Sequence, residues 1–180
     1  MKFDHDNISP LDSRYANKIS ELRENFSESA LIKIRFDIEI EWLLYICVNL
    51  PKTFKPLSKQ SIKKIAKFKD SFDNKSVLKI KKIESTTNHD VKAVEYYIRD
   101  YFLKDKVLST YIHLIHFGLT SEDINSLSYA YMIKNGISIY MKELDKVNKI
   151  LKNYSKKWAK QAFLARTHGQ AASPSTLGKE

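Results

Sequence analysis

With 180 residues, 43% of them hydrophobic, the chain is long enough to bury a core, which excludes a disordered tail and favours one domain or one domain with part of a second. Four glycines and four prolines are too few for many short strands joined by turns, so the predicted fold class is all-α. The formal net charge of +10 would suit a nucleic-acid partner, but only five of the 31 basic residues are arginine, and a lysine-rich composition explains the charge better than a binding patch does.

The first residues, MKFDHDNISP, carry acidic side chains where a secretion signal would need an apolar stretch. No apolar run approaches the ~20 residues that a membrane-spanning helix requires. Cys47 is the only cysteine, so the chain cannot form an intramolecular disulfide, which fits a reducing compartment. We therefore expect a cytoplasmic protein with no membrane partner.

Helical spacing of apolar residues predicts the elements in the first half of the chain. A short helix near residues 19–22 lies in an otherwise irregular polar segment, and a core helix follows over residues 27–50. Ser58 can cap a lysine-rich helix that continues to Asp70. A weaker stretch, helical or extended, covers residues 77–83.

Two further helix starts have the spacing of a capping box, in which two side chains three positions apart bond to each other's backbone N–H groups. Thr87 and Asp90 form the first pair, and Thr120 and Asp123 form the second. The helix that begins after Thr120 is expected to end near residues 135–136, where an asparagine and a glycine occur.

A short helix over residues 109–117 is predicted between these two, ended by Gly118 in a left-handed conformation. We place a domain boundary at this helix. Residues 1–111 are expected to form an N-terminal helical domain, and residues 112–180 the first part of a long central helical bundle.

The clearest periodicity in the chain follows residue 136, where apolar residues alternate in steps of three and four. This apolar stripe consists of Ile137, Tyr140, Leu144, Val147, Leu151, Tyr154 and Trp158. It predicts a long helix that packs against partners outside the sequence, either later in the chain or on another subunit. Ser173 and Pro174 are then expected to begin a further helix, as N-cap and first-turn residues.

Two of the predicted helix starts hold more polar groups than capping needs. Asn88 and His89 lie at one, and Thr120 and Ser121 at the other. Unpaired backbone N–H groups and the helix dipole favour bound anions there, so a substrate with phosphate or carboxylate groups is one interpretation and ordinary capping is the other. For Thr120 alone capping is the better explanation, whereas capping does not call for the imidazole of His89. Such groups suit acid–base chemistry on an anionic substrate.

A metal site is not predicted. His113 and His116 have i, i+3 spacing on one helix, but a third ligand is missing from the pattern, and both are interpreted as structural, His116 through the helix dipole. Glycine-rich phosphate loops and the G-x-S-x-G motif are also absent from the sequence, which disfavours the common enzyme classes that use them.

Four segments taken together resemble the adenylosuccinate lyases, a family of the fumarase/aspartase superfamily: SPLDSRY, TTNHDVKAVEYY, HFGLTSEDIN and RTHGQAASPSTLGKE. The resemblance covers essentially the whole chain. It implies an all-α homotetramer whose central helices form a large bundle and whose active sites draw residues from more than one subunit. It also implies β-elimination of fumarate from adenylosuccinate, giving AMP, and from the succinylated aminoimidazole carboxamide ribotide of purine synthesis, without a metal or organic cofactor.

The resemblance further implies roles for residues in the first half of the chain. Arg14 and Tyr15 would bind the substrate, at its phosphate end. Asn88, His89 and Asp90 would line the site, with His89 close to the charged groups of the substrate.

The later motifs carry the remaining implied roles. Thr120 and Ser121 would hold a carboxylate of the succinyl group, which agrees with the helix-terminus argument. His168 would be the general acid that protonates the leaving nitrogen, with Thr167 and Gln170 as supporting residues.

The base that the elimination also needs is a serine, which the family carries on a loop of pattern G-S-S-x-M-P-x-K-x-N, and this pattern does not occur in the sequence. We therefore expect the chain to be the N-terminal part of a longer enzyme and to be inactive alone. Two alternatives stay open. One is another superfamily member such as argininosuccinate lyase, which the segment NHDVKAVE disfavours. The other is a non-catalytic basic helical module that binds nucleic acid.

Overall fold

Three helices of the first part of the chain begin at a side chain that caps them, Ser27, Ser58 or Asp73. In the computed structural model, which describes residues 9–180, the hydroxyl of Ser27 accepts a hydrogen bond from the Ala30 N–H, and Ser58 accepts one from the Ser61 N–H. Asp73 and Ser76 form a complete capping box. Each cap satisfies an N–H group that has no partner within its own helix.

Within residues 9–180 the structure contains six α-helices, three short 3₁₀-helices and one antiparallel hairpin, so the all-α expectation is confirmed apart from the hairpin. The α-helices are α1 (Ser20–Phe26), α2 (Glu28–Asn49), α3 (Lys59–Asp70), α4 (Asn74–Thr87), α5 (Asp90–Leu103) and α6 (Ser121–Lys157). The 3₁₀-helices are Pro10–Asp12, Ala16–Lys18 and Leu108–Leu114, and the strands are β1 (Ala162–Thr167) and β2 (Gln170–Thr176).

The chain divides into two compact units at Gly136, with the second unit running over Ile137–Glu180 and α6 contributing to both. The first unit has a core formed by α2, α3, α4, α5 and the third 3₁₀-helix. Phe36, Phe68 and Phe102 lie at its centre, and the rings of Phe36 and Phe68 meet edge to face with 5.1 Å between centroids. Full burial of each such side chain contributes about 1.5–3 kcal/mol to folding.

The predicted capping box of Thr87 and Asp90 is wrong. Thr87 is the last residue of α4, and Asn88 closes that helix in the left-handed region, with φ of 51° and its N–H donating to the Glu84 carbonyl. His89 is the N-cap of α5, and its Nδ1 atom accepts a hydrogen bond from the Lys92 N–H at 3.2 Å. Asparagine tolerates the left-handed region, so two helices meet without a loop, and the imidazole does have a capping role.

The second predicted capping box is confirmed at the start of α6, where the Thr120 N–H donates to the Asp123 carboxylate at 2.6 Å and the Asp123 N–H donates to the Thr120 hydroxyl at 3.3 Å. The predicted end of this helix near residues 135–136 is wrong, because α6 continues to Lys157. Gly136 is buried against α1: a Cβ atom at that position would lie 2.4 Å from the ring of Phe26. The glycine therefore allows a close helix contact and does not end the helix.

In the second unit, α6 is followed by the β1–β2 hairpin. Ser173 and Pro174 lie in β2, so the predicted helix at these residues is wrong. Pro174 pairs with Leu164 of β1, as proline can in an edge strand, and Gly178 packs against the last turn of α6, where a Cβ atom would lie 2.2 Å from the Ser155 carbonyl oxygen. No helix in the part of the chain that the structure describes is long and apolar enough to cross a membrane.

The apolar stripe of the second unit is confirmed as helical from Ile137 to Tyr154, whereas Trp158 follows the last residue of α6, and most of the stripe is exposed. Ile137, Tyr140, Val147, Leu151 and Tyr154 are all exposed. At the C-terminal end of the helix the rings of Tyr154 and Trp158 stack on each other, with 4.8 Å between centroids.

Candidate active site

The N-termini of α5 and α6 lie side by side and bring two of the predicted site residues together. The Nε2 atom of His89, the N-cap of α5, lies 3.4 Å from the Oγ atom of Ser121, the first residue of α6. A small apolar cluster of Ile38, Val91 and Ile124 is buried where α2 meets these two helix starts. The polar groups therefore stand at the edge of a packed junction of three helices.

The hydrogen bonds assign the tautomer of His89. Its Nδ1 atom accepts from the Lys92 N–H, so the ring hydrogen of the neutral imidazole is on Nε2. The Nε2–H group can then donate to the Oγ atom of Ser121. Because that oxygen accepts from His89, the hydroxyl hydrogen of Ser121 is left to donate to a ligand at the helix start.

Thr120 has both of its hydroxyl functions engaged in capping. Its hydroxyl donates to the Asp123 carboxylate at 2.8 Å and accepts from the Asp123 N–H. Hydrogen bonds from the Thr120 N–H and hydroxyl hold the pKa of Asp123 below its usual range. Of the two residues predicted to hold a carboxylate, Ser121 is thus the one whose side chain has a hydrogen to donate.

Asn125 lies one helical turn after Ser121 and was not singled out from the sequence. Among the described residues its buried Oδ1 atom has no hydrogen-bond partner. Unsatisfied buried polar atoms are uncommon in folded proteins, and a catalytic role or a bound water or ion is among the explanations for one. No sequence motif distinguishes this asparagine from an ordinary helix residue, so only its buried, unpaired oxygen in the folded chain marks it as a candidate site residue.

Asp90, a predicted site residue, is fixed by the start of α5 and by α2. One carboxylate oxygen accepts from the Val91 N–H, and the other lies 2.8 Å from the guanidinium of Arg35. Burial alone would raise the pKa of Asp90, but these two partners lower it, and the net effect is a pKa below the usual value. Asp90 is therefore an ionised anchor at neutral pH.

His116 makes a contact that the sequence did not indicate. It lies beyond the end of the 3₁₀-helix Leu108–Leu114, in a left-handed conformation with φ of 61°, and its Nδ1 atom is 2.6 Å from the Glu39 carboxylate. This hydrogen bond raises the pKa of His116, against the opposing effect of burial. The structural role of His116 is therefore an ion pair with Glu39 and not the expected interaction with a helix dipole. The other histidine of this segment, His113, is exposed.

Arg35 and Glu39 are functional candidates that sequence reasoning missed. They lie one turn apart on α2, which is otherwise buried through aliphatic and aromatic residues. Both are nearly inaccessible, and one atom of each, Nε of Arg35 and Oε2 of Glu39, has no hydrogen-bond partner among residues 9–180. The available signal was a pair of opposite charges inside the run IRFDIEIEW, since charges are rarely buried unless they have a specific partner.

A polar cavity of about 450 Å³ lies beside the junction of α4 and α5. Asn88 and Asp90 line it, together with Lys81 and Glu84. Lys81 also bonds to Glu28 at 2.7 Å, so its ammonium group is already neutralised within the first unit. The volume is in the range of small-molecule sites, which fall at about 300–1,000 Å³.

Arg14 and Tyr15 form a separate pair near the start of the described residues. The guanidinium carbon of Arg14 lies 5.4 Å from the centroid of the Tyr15 ring, and both side chains are exposed. The structure brings His89, Asp90 and Ser121 together, whereas Arg14 and Tyr15 contact each other.

The remaining predicted residues belong to the second unit, at the tip of the hairpin. His168 and Gly169 form its two-residue turn, both with positive φ (51° and 78°), as hairpin turns of this kind require. Thr167 pairs with Gln170 across the turn. The left-handed conformation is unusual for a residue other than glycine, and it holds the exposed imidazole of His168 at the tip of the hairpin.

Within residues 9–180, no group of three or more His, Cys, Asp or Glu side chains is arranged to hold a metal ion. The titratable groups at the junction of α2, α5 and α6 instead pair with one another, as Arg35 does with Asp90 and Glu39 with His116.

Comparison with known proteins gives a consistent result. Residues 13–180 match the family model described as "Lyase". Proteins named adenylosuccinate lyase are similar to the chain: 40% identity over 176 residues for that of Buchnera aphidicola subsp. Schizaphis graminum, 41% over 176 for Legionella pneumophila strain Corby, and 39% over 178 for Escherichia coli strain K12. Each alignment covers 96% of the chain, and the chain spans 38% of the length of these relatives.

Proposed function

Because the chain belongs to the lyase family, we propose that it contributes to an adenylosuccinate lyase, which eliminates fumarate from adenylosuccinate to give AMP and from the succinylated aminoimidazole carboxamide ribotide of purine synthesis. The names of its relatives support this reaction. The observation that carries the proposal is the contact between His89 and Ser121 at two adjacent helix N-termini. Helix N-termini bind anions through free N–H groups and the helix dipole, and the substrate carries two carboxylates and a phosphate.

In this proposal Ser121 donates its hydroxyl hydrogen to a carboxylate of the succinyl group, with backbone N–H groups of α6 nearby and Thr120 holding the helix start. His89 keeps the Ser121 oxygen occupied through its Nε2–H group, so that the serine acts as a donor. Asn88 and Asp90 line the adjoining polar cavity. Arg14 and Tyr15 would bind the phosphate, the most highly charged group of the substrate, through the guanidinium and the phenol.

His168 is the proposed general acid. In the elimination, a base removes the proton from the carbon next to a carboxylate, the C–N bond breaks, and the electron pair of that bond stays on nitrogen. Protonation by His168 lets the nitrogen leave as a neutral amine. Thr167 and Gln170, paired on either side of the turn, would keep the imidazole in place. The base is proposed to be a serine from a segment that these 180 residues do not contain.

We extend the proposal to the assembly and its location. The exposed apolar stripe of α6 supports a homotetramer in which central helices form a bundle, because large apolar surfaces of this kind are usually covered by other subunits. A cytoplasmic location, a boundary between an N-terminal domain and a bundle at residues 111 and 112, and the absence of a nucleic-acid or membrane partner stay predictions. No cofactor is required by the proposed chemistry.

A chimeric enzyme tests the substrate. Residues 1–180 would replace the matching segment of the Escherichia coli relative, to which the chain is 39% identical, and fumarate release would be followed with adenylosuccinate and with argininosuccinate. We expect turnover of adenylosuccinate alone. A folded chimera that releases fumarate from argininosuccinate and not from adenylosuccinate would contradict the proposal. Tight, salt-sensitive binding of duplex DNA by the chain, with no turnover by the chimera, would favour the nucleic-acid module.

A further inference from the structure

One face of α2 carries three polar side chains at helical spacing, Arg35, Glu39 and Trp42. The side chains of Arg35 and Glu39 are 5% and 0% exposed. The other buried residues of this helix are almost all aliphatic or aromatic, so two full charges are held in an apolar region. Each charge has an ion-pair partner, and each partner lies at or just before a helix start that contributes to the proposed site.

Arg35 binds the start of α5. Its guanidinium lies 2.8 Å from Asp90, the first residue of that helix and the neighbour of His89 in the chain. Asp90 also accepts the Val91 N–H, so its carboxylate links the first turn of α5 to α2. The position of the imidazole of His89 therefore depends on a bond to a different helix.

Glu39 and Trp42 bind the segment that precedes α6. Glu39 lies 2.6 Å from His116, and the indole N–H of Trp42 donates to the carbonyl of Phe117 at 2.8 Å. Ser121 follows Phe117 by four positions. The same face of α2 thus holds both helix starts whose side chains meet in the site.

We propose that Arg35, Glu39 and Trp42 are positioning residues, which hold the N-termini of α5 and α6 in the relative position that brings His89 against Ser121. The catalytic importance of this positioning rests on the proposed function. The relative position of His89 and Ser121 can, however, be measured without turnover. None of the three is assigned a contact with the substrate.

The burial of these charges argues for positioning over stability. Breaking a buried ion pair is destabilising, but replacing it entirely with apolar residues of similar size is frequently neutral or stabilising, so a buried pair is weak evidence for a purely stabilising role. Arg35 and Glu39 each keep one polar atom without a partner among the described residues, which a leucine would avoid. A network that fixes two segments in one geometry explains why charges occur here.

The direct test uses the imidazole signals of His89 in the 180-residue chain. Nitrogen NMR of the side chain distinguishes the Nε2–H tautomer, which the hydrogen bonds assign to the wild-type chain, from the other forms. We expect Glu39→Gln, Arg35→Lys and Trp42→Phe each to shift these signals or to mix the tautomers. Trp42→Phe keeps an aromatic ring in a partly exposed position, so it gives a readable result even where a buried substitution prevents folding.

Asp105→Asn is the matched control. Asp105 is likewise a carboxylate in an ion pair, although it is partly exposed: it pairs with Lys64 at 2.5 Å and accepts backbone N–H groups of the following turn. None of these partners belongs to the proposed site. This variant should lower the melting temperature and leave the His89 signals in place. Unchanged His89 signals in Glu39→Gln and Trp42→Phe, or an equal change in Asp105→Asn, would overturn the inference.

Kinetics in the chimera give a second readout that separates the two proposals. We expect Glu39→Gln to lower kcat/KM by about 10- to 100-fold, mainly through a higher KM, because the carboxylate-binding helix start is displaced. Asp105→Asn should leave kcat/KM within about twofold of wild type. An active chimera whose kcat/KM is insensitive to Glu39→Gln contradicts the positioning role alone, whereas an inactive chimera with shifted His89 signals contradicts the proposed function alone.

Discussion

The Nε2 atom of His89 lies 3.4 Å from the Oγ atom of Ser121, although the two residues are 32 positions apart in the sequence. His89 is the N-cap of α5 and Ser121 is the first residue of α6, so the contact joins the N-termini of two helices. Because Nδ1 of His89 already accepts from the Lys92 N–H, the direction of the His89–Ser121 hydrogen bond is determined, and with it the role of the serine as a donor.

Removal of the Ser121 hydroxyl should weaken binding of a carboxylate. Hydrogen bonds to charged groups contribute about 1.5–3 kcal/mol, so Ser121→Ala is expected to raise the KM for adenylosuccinate, and the inhibition constant of fumarate, by about 10- to 100-fold in the chimera. Ser126→Ala, in which an exposed serine of the same helix loses a bond to Glu122, is the control. Equal constants for the two variants would remove Ser121 from the site.

The ion pair of Glu39 and His116 should make stability depend on pH. Its hydrogen bond raises the pKa of His116 above the ordinary value of 6.5. The stabilisation is therefore fully present below about pH 6.5 and is lost as the pH rises through the raised pKa of the folded chain. In urea unfolding of the 180-residue chain, the wild type should lose stability relative to Glu39→Gln as the pH increases from about 6 to 9. Parallel curves for the two chains would show that the pair does not titrate in this way.

Gly178 should be essential to the end of the hairpin. A Cβ atom there would lie 2.2 Å from the Ser155 carbonyl oxygen and 2.7 Å from the Ala159 nitrogen, and backbone atoms cannot move aside as a side chain can. Gly178→Ala is expected to lose about 1–3 kcal/mol of local stability, seen as faster hydrogen exchange of the Leu177 amide, which donates to the Gln161 carbonyl. Gly169→Asn should have a smaller effect, because its Cβ position is open and asparagine tolerates positive φ. Equal protection of Leu177 in both variants would contradict the close contact.

The chain of 180 residues should release no fumarate by itself, because the serine-loop pattern proposed to supply the base does not occur in its sequence. The measurement is a fumarate assay with adenylosuccinate on the purified chain, with circular dichroism as evidence that the helices are formed. Fumarate release by the helical chain, abolished by His168→Gln, would show that a base is present within these residues.

Local signals in the sequence predicted local structure well. Ser58 and Thr120 cap helices as expected, because a cap involves residues within one turn of each other. The capping box of Thr87 failed because Asn88 takes a left-handed conformation that closes α4, which allows the next residue, His89, to cap α5. Spacing alone does not distinguish these two arrangements, since both place polar residues at the same positions.

The other failures depend on contacts between distant parts of the chain. Gly136 looked like a helix end, but Phe26 packs against it, and that contact cannot be read from the residues around 136. Pro174 looked like a helix start, but it pairs with Leu164 in a hairpin. The partners of Arg35 and Glu39 are likewise set by tertiary packing, so motifs could suggest candidate site residues but could not suggest the buried charges that we propose as positioning residues.

The central claim, that this chain supplies the acid of a fumarate-releasing elimination, is tested most directly by single-turnover fumarate release from adenylosuccinate in the chimera and in its His168→Gln variant. Loss of a general acid reduces the rate by ~10²- to 10⁴-fold, and we expect a reduction in this range with substrate binding largely retained. His113→Gln, which changes another exposed histidine, should leave the rate unaltered. A His168→Gln chimera that releases fumarate at the wild-type rate would contradict the account.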